Sequence, residues 1–212
     1  MLKIGIVLSI VILSPACAFG DPISGGPPAN VQEAQNSTSP NAATVDALIK
    51  TAATKSGSGD FQGALADYDQ ALTIARQIRL TAITGQLLVD KGNMLLKLKR
   101  NDDAIAAYTE AATLDPHPAT AYFNLCATQY NLGRTDAAAL DACSHAIQAD
   151  PAKADAYFIQ GSMLFSAGKS DSSGKIIIPA GTKEALEKYL QLAPNGPHAN
   201  DVRAMLDYVG AK

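Results

Sequence analysis

The side chains that most often carry out chemistry are scattered along this 212-residue chain. Its three histidines, His117, His145 and His198, have no carboxylate or cysteine at metal-ligand spacing, so the sequence places them at the surface and predicts no metal site. The segment from Gly161 to Gly168-Lys169-Ser170 resembles a phosphate-binding loop, but six residues separate the glycines instead of four, and no strand precedes them. No Ser, Cys or acidic residue lies in a recognisable nucleophile setting. The sequence therefore predicts a protein that is not an enzyme and needs no cofactor.

Two of the three cysteines, Cys126 and Cys143, fall on the two predicted helices of one hairpin, so their side chains can meet. In an oxidising compartment such a pair can form a disulfide. The alternative is two small buried residues, because a free cysteine packs like a small hydrophobic side chain. A metal site is disfavoured, since two cysteines lack companion ligands at the usual spacing.

The composition favours packed helices. Apolar residues make up 47% of the chain, charged residues 17% and aromatic residues only 6%, with no Trp. This balance is typical of a folded protein, and abundant alanine lets helices approach closely. The formal net charge is −3 and becomes −4 if the segment that contains Lys3 is removed. Mild acidity argues against a nucleic-acid partner and against binding to anionic membrane surfaces.

The N-terminus has the pattern of an export signal. Lys3 precedes an apolar run over residues 4–13, and Ala16-Cys17-Ala18 matches an A-x-A cleavage site. We expect a signal peptide over residues 1–18, cleavage after Ala18, a periplasmic or secreted protein, and no membrane span after cleavage. An uncleaved anchor and a lipoprotein acylated at Cys17 are the alternatives, although the residues before Cys17 match a lipidation site poorly.

Residues 19–43 are rich in Pro, Gly, Ser and Asn and lack apolar periodicity, which predicts a disordered linker. Helical spacing begins at Thr44, and the second helix is predicted to run to about Arg79. Within the later sequence, the β-branched Ile176-Ile177-Ile178 belongs to a non-helical insert. This segment can pair with another strand or pack against the helices.

A pattern of apolar and small residues recurs at a nearly constant interval after the linker. Leu88 and Tyr122 are 34 residues apart, Tyr122 and Tyr157 are 35 apart, and Pro116 and Pro151 are 35 apart. Such a period, with helical spacing inside each unit, predicts helical hairpins that stack into a solenoid. The helical repeat domain spans residues 44–212. Its units lie at about 45–80, 84–117, 118–152 and 153–194, with a loop insert at 169–182 and a capping helix at 197–210.

The residues of the second unit form a known pattern: Leu88, Gly92, Ala104, Tyr108 and Pro116. This pattern resembles the tetratricopeptide repeat, and the resemblance extends over about residues 44–194. In the third unit, Cys126 stands for the glycine, Ala138 for the alanine and Ala142 for the aromatic residue. The resemblance implies an all-α fold, a right-handed α-solenoid of about four helical hairpins with a C-terminal capping helix. It also implies a concave groove lined mainly by the first helix of each hairpin.

The groove of the family, carried onto this chain, includes Asn93, Lys97, Phe123, Asn124, Tyr130, Asn131, Phe158, Ser162 and Phe165. Asn93 and Asn124 match asparagines that hydrogen-bond the backbone of a ligand in peptide-binding members, since an amide donates and accepts at once. The alternative is that asparagine is simply frequent at that position. The aromatic residues either anchor a partner in an apolar groove or pack beneath the inserted loop.

The resemblance therefore implies a non-enzymatic adaptor or scaffold that binds a protein or peptide in its concave groove, in the cell envelope or outside the cell. The alternative function is a structural, N-terminally anchored subunit of an envelope complex, whose tail and helix edges make the contacts. Chaperone-binding members use cationic residues to hold a terminal carboxylate. The matching positions here are Val89, Asp155 and Ile159, so a chaperone C-terminus is not the expected ligand.

Overall fold

The structure, a computed structural model, describes residues 40–172 and 176–210. The predicted signal peptide and residues 19–39 of the predicted linker lie outside these ranges. Within them the chain forms nine helices and two short strands. In chain order these are α1 (Pro40–Gly57), α2 (Phe61–Gln77), α3 (Thr81–Lys97), α4 (Asn101–Leu114), α5 (Ala119–Asn131), α6 (Ala137–Ala149), α7 (Ala154–Ser166), β1 (Lys169–Ser170), β2 (Ile176–Ile177), α8 (Thr182–Leu192) and α9 (Ala199–Gly210).

Consecutive helices pair as hairpins: α1 with α2, α3 with α4, α5 with α6, and α7 with α8. The second helix of each hairpin also packs against the first helix of the next, and α9 packs against α8 in the same way. The predicted all-α stack of four hairpins with a C-terminal cap is therefore confirmed. No helix within the described ranges combines the length and the apolar character that crossing a membrane requires.

Residues in the left-handed backbone conformation end the turns between several helices. The four positions are Gly59, Arg79, Lys99 and Gly133, with φ of 85°, 58°, 60° and 69°. The next residue then donates its amide N–H to a carbonyl five residues back, as Leu80 does to Ala75 at 2.9 Å. This arrangement satisfies the last carbonyls of a helix. It ends α2 at Gln77, two residues before the predicted Arg79.

Two helices begin earlier than predicted. Helix α1 starts at Pro40, so residues 40–43 are helical and the predicted linker extends too far. Proline suits a first helical position because its missing N–H would have no partner there, and the Thr44 hydroxyl donates to the Pro40 carbonyl at 3.0 Å. Helix α3 starts at Thr81, three residues before the predicted Thr84.

Small residues let the two helices of a hairpin approach closely. In the second hairpin Gly92 is buried, and a Cβ atom on it would lie 2.5 Å from Cε1 of Tyr108. In the third hairpin the buried alanine is Ala139, whereas Ala138 is exposed. The predicted alignment of the third unit was therefore wrong by one residue, because the extra residue lies in the turn before α6. In the correct register Cys143, and not Ala142, stands at the position of Tyr108.

The insert in the fourth hairpin forms a small antiparallel ladder. Lys169 pairs with Ile177, and Ser170 pairs with Ile176. The isoleucine-rich segment thus pairs within the insert, and the Ile177 side chain is 58% exposed.

Candidate functional site

Two amides connect neighbouring first helices on α3 and α5. Tyr108 donates its hydroxyl to Oδ1 of Asn93 at 2.7 Å, and Asn124 donates its Nδ2 to the same oxygen at 3.4 Å. Because Oδ1 of Asn93 accepts both bonds, the orientation of this amide is fixed. No described residue accepts from Nδ2 of Asn93 or donates to Oδ1 of Asn124. The pair therefore keeps both donor and acceptor capacity for another molecule.

A carboxylate lies on the same face of α3, one turn before Asn93. Asp90 is partly buried, and this burial raises the pKa of its carboxyl from 3.8 to about 6, although a hydrogen bond with Gln86 acts in the opposite direction. Burial raises the pKa of the Tyr68 hydroxyl to about 12, and the charge of Asp90 adds to this effect. We call Gln86, Asp90, Asn93 and Asn124 the α3–α5 polar strip. Sequence reasoning placed Asn93 and Asn124 in the groove but missed Asp90.

Three other residues of the predicted groove belong to the same two helices, namely Lys97 on α3 and Phe123 and Asn131 on α5. Lys97 and Asn131 are exposed in the last turns of α3 and α5. Phe123 is partly buried, and the Lys153 ammonium sits 4.5 Å from the centre of its ring. A cation above an aromatic face is attracted by the ring electrons. Lys153 thus covers one side of Phe123.

The aromatic residues of α7 pack against the C-terminal helix. Phe158 is 2% exposed and stacks on His198, with ring centroids 3.9 Å apart. Phe165 meets Tyr208 edge to face at 5.5 Å, and Tyr130 of α5 meets Phe158 at 6.2 Å.

Ser162, also on α7, is 3% exposed. Phe158 and Ser162 therefore present little surface to a partner, and the packing of the aromatic side chains involves α9 rather than the insert. The expectation of a surface position is wrong for His198, which is only 8% exposed, whereas His117 is exposed.

A disulfide joins α5 to α6. It links Cys126 and Cys143, which are both fully buried and 17 residues apart in sequence, with Cα atoms 4.8 Å apart. Cys126 stands at the position of Gly92 and Cys143 at that of Tyr108. The covalent bond therefore occupies the place where the second hairpin has its close glycine–tyrosine contact.

A cavity lies where the loop between α4 and α5 meets α6. His145 stacks on Tyr122 with ring centroids 4.8 Å apart, and its Nδ1 lies 3.4 Å from Oδ2 of Asp141. The cavity has a volume of about 340 Å³, and His117 and Gln148 also line it. In the part of the chain that the structure describes, no group of three or more His, Cys, Asp or Glu residues could hold a metal ion.

The stacked hairpins define an α-solenoid repeat protein. A family model described as tetratricopeptide repeat matches residues 89–154. This match confirms, over these residues, the repeat pattern found in the sequence. No curated protein sequence matches the chain significantly.

Solved structures share the fold. The crystal structure of MamA protein is 24% identical, with 78% of this chain and 85% of that chain covered and a TM-score of 0.60. A tetratricopeptide repeat protein from Parabacteroides merdae is 18% identical, with 77% of this chain and 59% of that chain covered and a TM-score of 0.62. The first TPR of Spaghetti (RPAP3), bound to HSP90 peptide SRMEEVD, is 25% identical, with 61% of this chain and 95% of that chain covered and a TM-score of 0.51.

Proposed function

We propose that this chain is a non-enzymatic adaptor that binds an extended segment of another protein along α3 and α5. The observation that supports this most is the amide pair of Asn93 and Asn124. Its orientation is fixed by Tyr108, and its remaining N–H and C=O groups match those of a peptide backbone. The net charge of −3 supports a protein partner over a nucleic acid.

The ligand differs in chemistry from the acidic peptide bound to Spaghetti. Val89 and Ile159, at two positions where chaperone-binding relatives hold a carboxylate, are each 2% exposed and apolar. The third matching position holds Asp155, which would repel a carboxylate. A ligand that ends in a clamped carboxylate is therefore disfavoured.

The proposal is tested by capturing ligands from native cell envelopes and measuring their affinity for purified variants. In the double variant Asn93→Ala with Asn124→Ala, we expect affinity to fall by about tenfold or more, as for central interface residues. Asn195→Ala, at an exposed turn position, is the matched control and should bind as the wild type does. Unchanged affinity in a double variant with a normal circular dichroism spectrum would exclude this groove as the binding site.

We further propose that the protein is exported. The signal pattern of residues 1–18 supports this location, and so does the buried disulfide between Cys126 and Cys143, because disulfides persist in oxidising compartments. Mass spectrometry of the protein from its native cells provides the test. A mature chain that begins at Phe19 is expected, an acylated Cys17 at the N-terminus would favour the anchored subunit, and an intact Met1 would contradict both.

A further inference from the structure

The α3–α5 polar strip contains one ionisable acid. Gln86, Asp90 and Asn93 are spaced by four and three residues, so they share one face of α3. The hydrogen bond between Asn93 and Asn124 brings the amide of α5 to this face. The Asp90 carboxylate therefore lies next to the amides that we propose bind the backbone of a ligand.

Among the described residues Asp90 has no cationic partner, unlike two aspartates of the neighbouring helix. On α2, Asp67 pairs with Lys55 and Asp69 pairs with Lys91, each at 2.7 Å. No ion pair among the described residues involves Asp90. It shares a hydrogen bond with Gln86, which is neutral. A partly buried carboxylate without a cation is costly to keep charged, so a cation that approached it would be bound favourably.

The segment just before α1 has no basic side chain that could supply that cation. Residues 19–39 contain neither lysine nor arginine. Lys91, which follows Asp90 directly, is already held by Asp69. Lys97 lies two turns further along the same helix, and no ion pair among the described residues joins it to Asp90. We therefore expect the cation that fits this position to come from another molecule.

We propose that the groove selects a protein segment with a basic side chain, lysine or arginine, whose cation pairs with the Asp90 carboxylate. This inference rests on the proposed function, since Asn93 and Asn124 would bind the backbone of the same segment. The basic side chain would donate charge-assisted hydrogen bonds to Asp90 and a further one to Oδ1 of Asn124. The strip thus selects a ligand of opposite charge to the acidic peptide bound to Spaghetti.

Two short peptides test the charge of the ligand directly. Acetyl-Ala-Ala-Lys-Ala-Ala-amide carries the cation, and the same peptide with norleucine keeps the aliphatic side chain without the charge. Binding is followed at pH 7.5 and low salt through the side-chain amide signals of Asn93 and Asn124 in ¹⁵N-labelled protein. We expect the lysine peptide to bind about tenfold more tightly than the norleucine peptide, and salt to reduce this preference.

Two variants test whether the preference for the lysine peptide comes from the Asp90 carboxylate. Asp90→Asn keeps the size of the side chain and should remove the preference for lysine. Asp207→Asn, at an exposed position of α9, should retain it. Equal binding of both peptides to the wild type, or a preference that survives in a folded Asp90→Asn variant, would overturn the basic-ligand inference but leave peptide binding intact. If neither peptide shifts the two amide signals, the inference and the proposed groove both fail.

Discussion

At the scale of single residues, the α3–α5 polar strip contains a carboxylate whose charged form the fold disfavours. Burial holds the pKa of Asp90 at about 6, above its ordinary 3.8. A neutral side chain at this position would make the folded protein more stable at neutral pH. Binding sites often keep residues that cost stability, because the same group gains a partner when the ligand arrives.

This cost predicts a pH-dependent effect of Asp90→Asn. The folded pKa lies above the unfolded one, so the penalty is absent below about pH 4, grows as pH rises, and is complete above about pH 6. We expect the variant to gain about 3 kcal/mol of unfolding free energy at pH 7.5 and almost none at pH 3.5. Urea unfolding at both pH values measures this difference.

The control for this measurement is Asp207→Asn at its exposed position on α9. Its effect should stay within about 0.5 kcal/mol at either pH. Equal gains for Asp90→Asn at both pH values would show that packing, and not ionisation, causes the change.

At the scale of helix pairs, the second and third hairpins use different contacts at equivalent positions. In the second hairpin Tyr108 covers Gly92, and any Cβ on this glycine would collide with the ring. In the third hairpin the disulfide between Cys126 and Cys143 fills the same place. The third hairpin thus replaces a packed aromatic side chain by a covalent bond, which constrains the unfolded chain.

Removing the bond should destabilise the protein. Cys126→Ala with Cys143→Ala is expected to lower the unfolding free energy by about 3 kcal/mol, as expected for a disulfide that closes a loop of this length. Cys126→Gly with Cys143→Tyr should recover part of this loss, because it recreates the pair found in the second hairpin. Guanidinium unfolding with and without reductant compares the variants, and reductant should affect the wild type alone. A glycine–tyrosine variant no more stable than the alanine variant would refute the equivalence.

The sequence predicted the helix pairs because their apolar and small residues repeat at a fixed period. It did not fix the register of the third unit, because residues 137–139 are three consecutive alanines and the extra residue fits either the turn or the helix. Arg79 and Lys99 adopt left-handed conformations although they are not glycines, so the residue type does not indicate where these helices end. The burial of Phe158 depends on where α9 docks, which local periodicity does not encode.

The role of Asp90 in the candidate site also could not be predicted from the sequence alone. Its place on α3 follows from helical spacing, but its lack of a cationic partner depends on contacts with neighbouring helices. Lys91 is adjacent in sequence, yet it pairs with Asp69 on α2. Only the packed structure shows that Asp90 has no cationic partner among the described residues, and the basic-ligand inference depends on that fact.

At the scale of the whole molecule, α9 ends the stack. It packs on α8 where the first helix of another hairpin would lie, and its Val202 is fully buried. His198 and Tyr208 cover Phe158 and Phe165 of α7. Helix α9 therefore closes the apolar end of the solenoid.

Undocking α9 should expose this end without affecting the hairpins before it. Val202→Asp places a charge at a fully buried position, so we expect α9 to lose its protection from hydrogen exchange and Phe158 to become accessible to the dye ANS. Ala204→Asp, on the exposed side of the same helix, is the control and should behave as the wild type does. Because Asn93 and Asn124 bond to each other and to Tyr108 rather than to α9, their amide signals should persist in the Val202→Asp variant. Loss of those signals together with α9 would show that the four hairpins unfold as one cooperative unit with their cap.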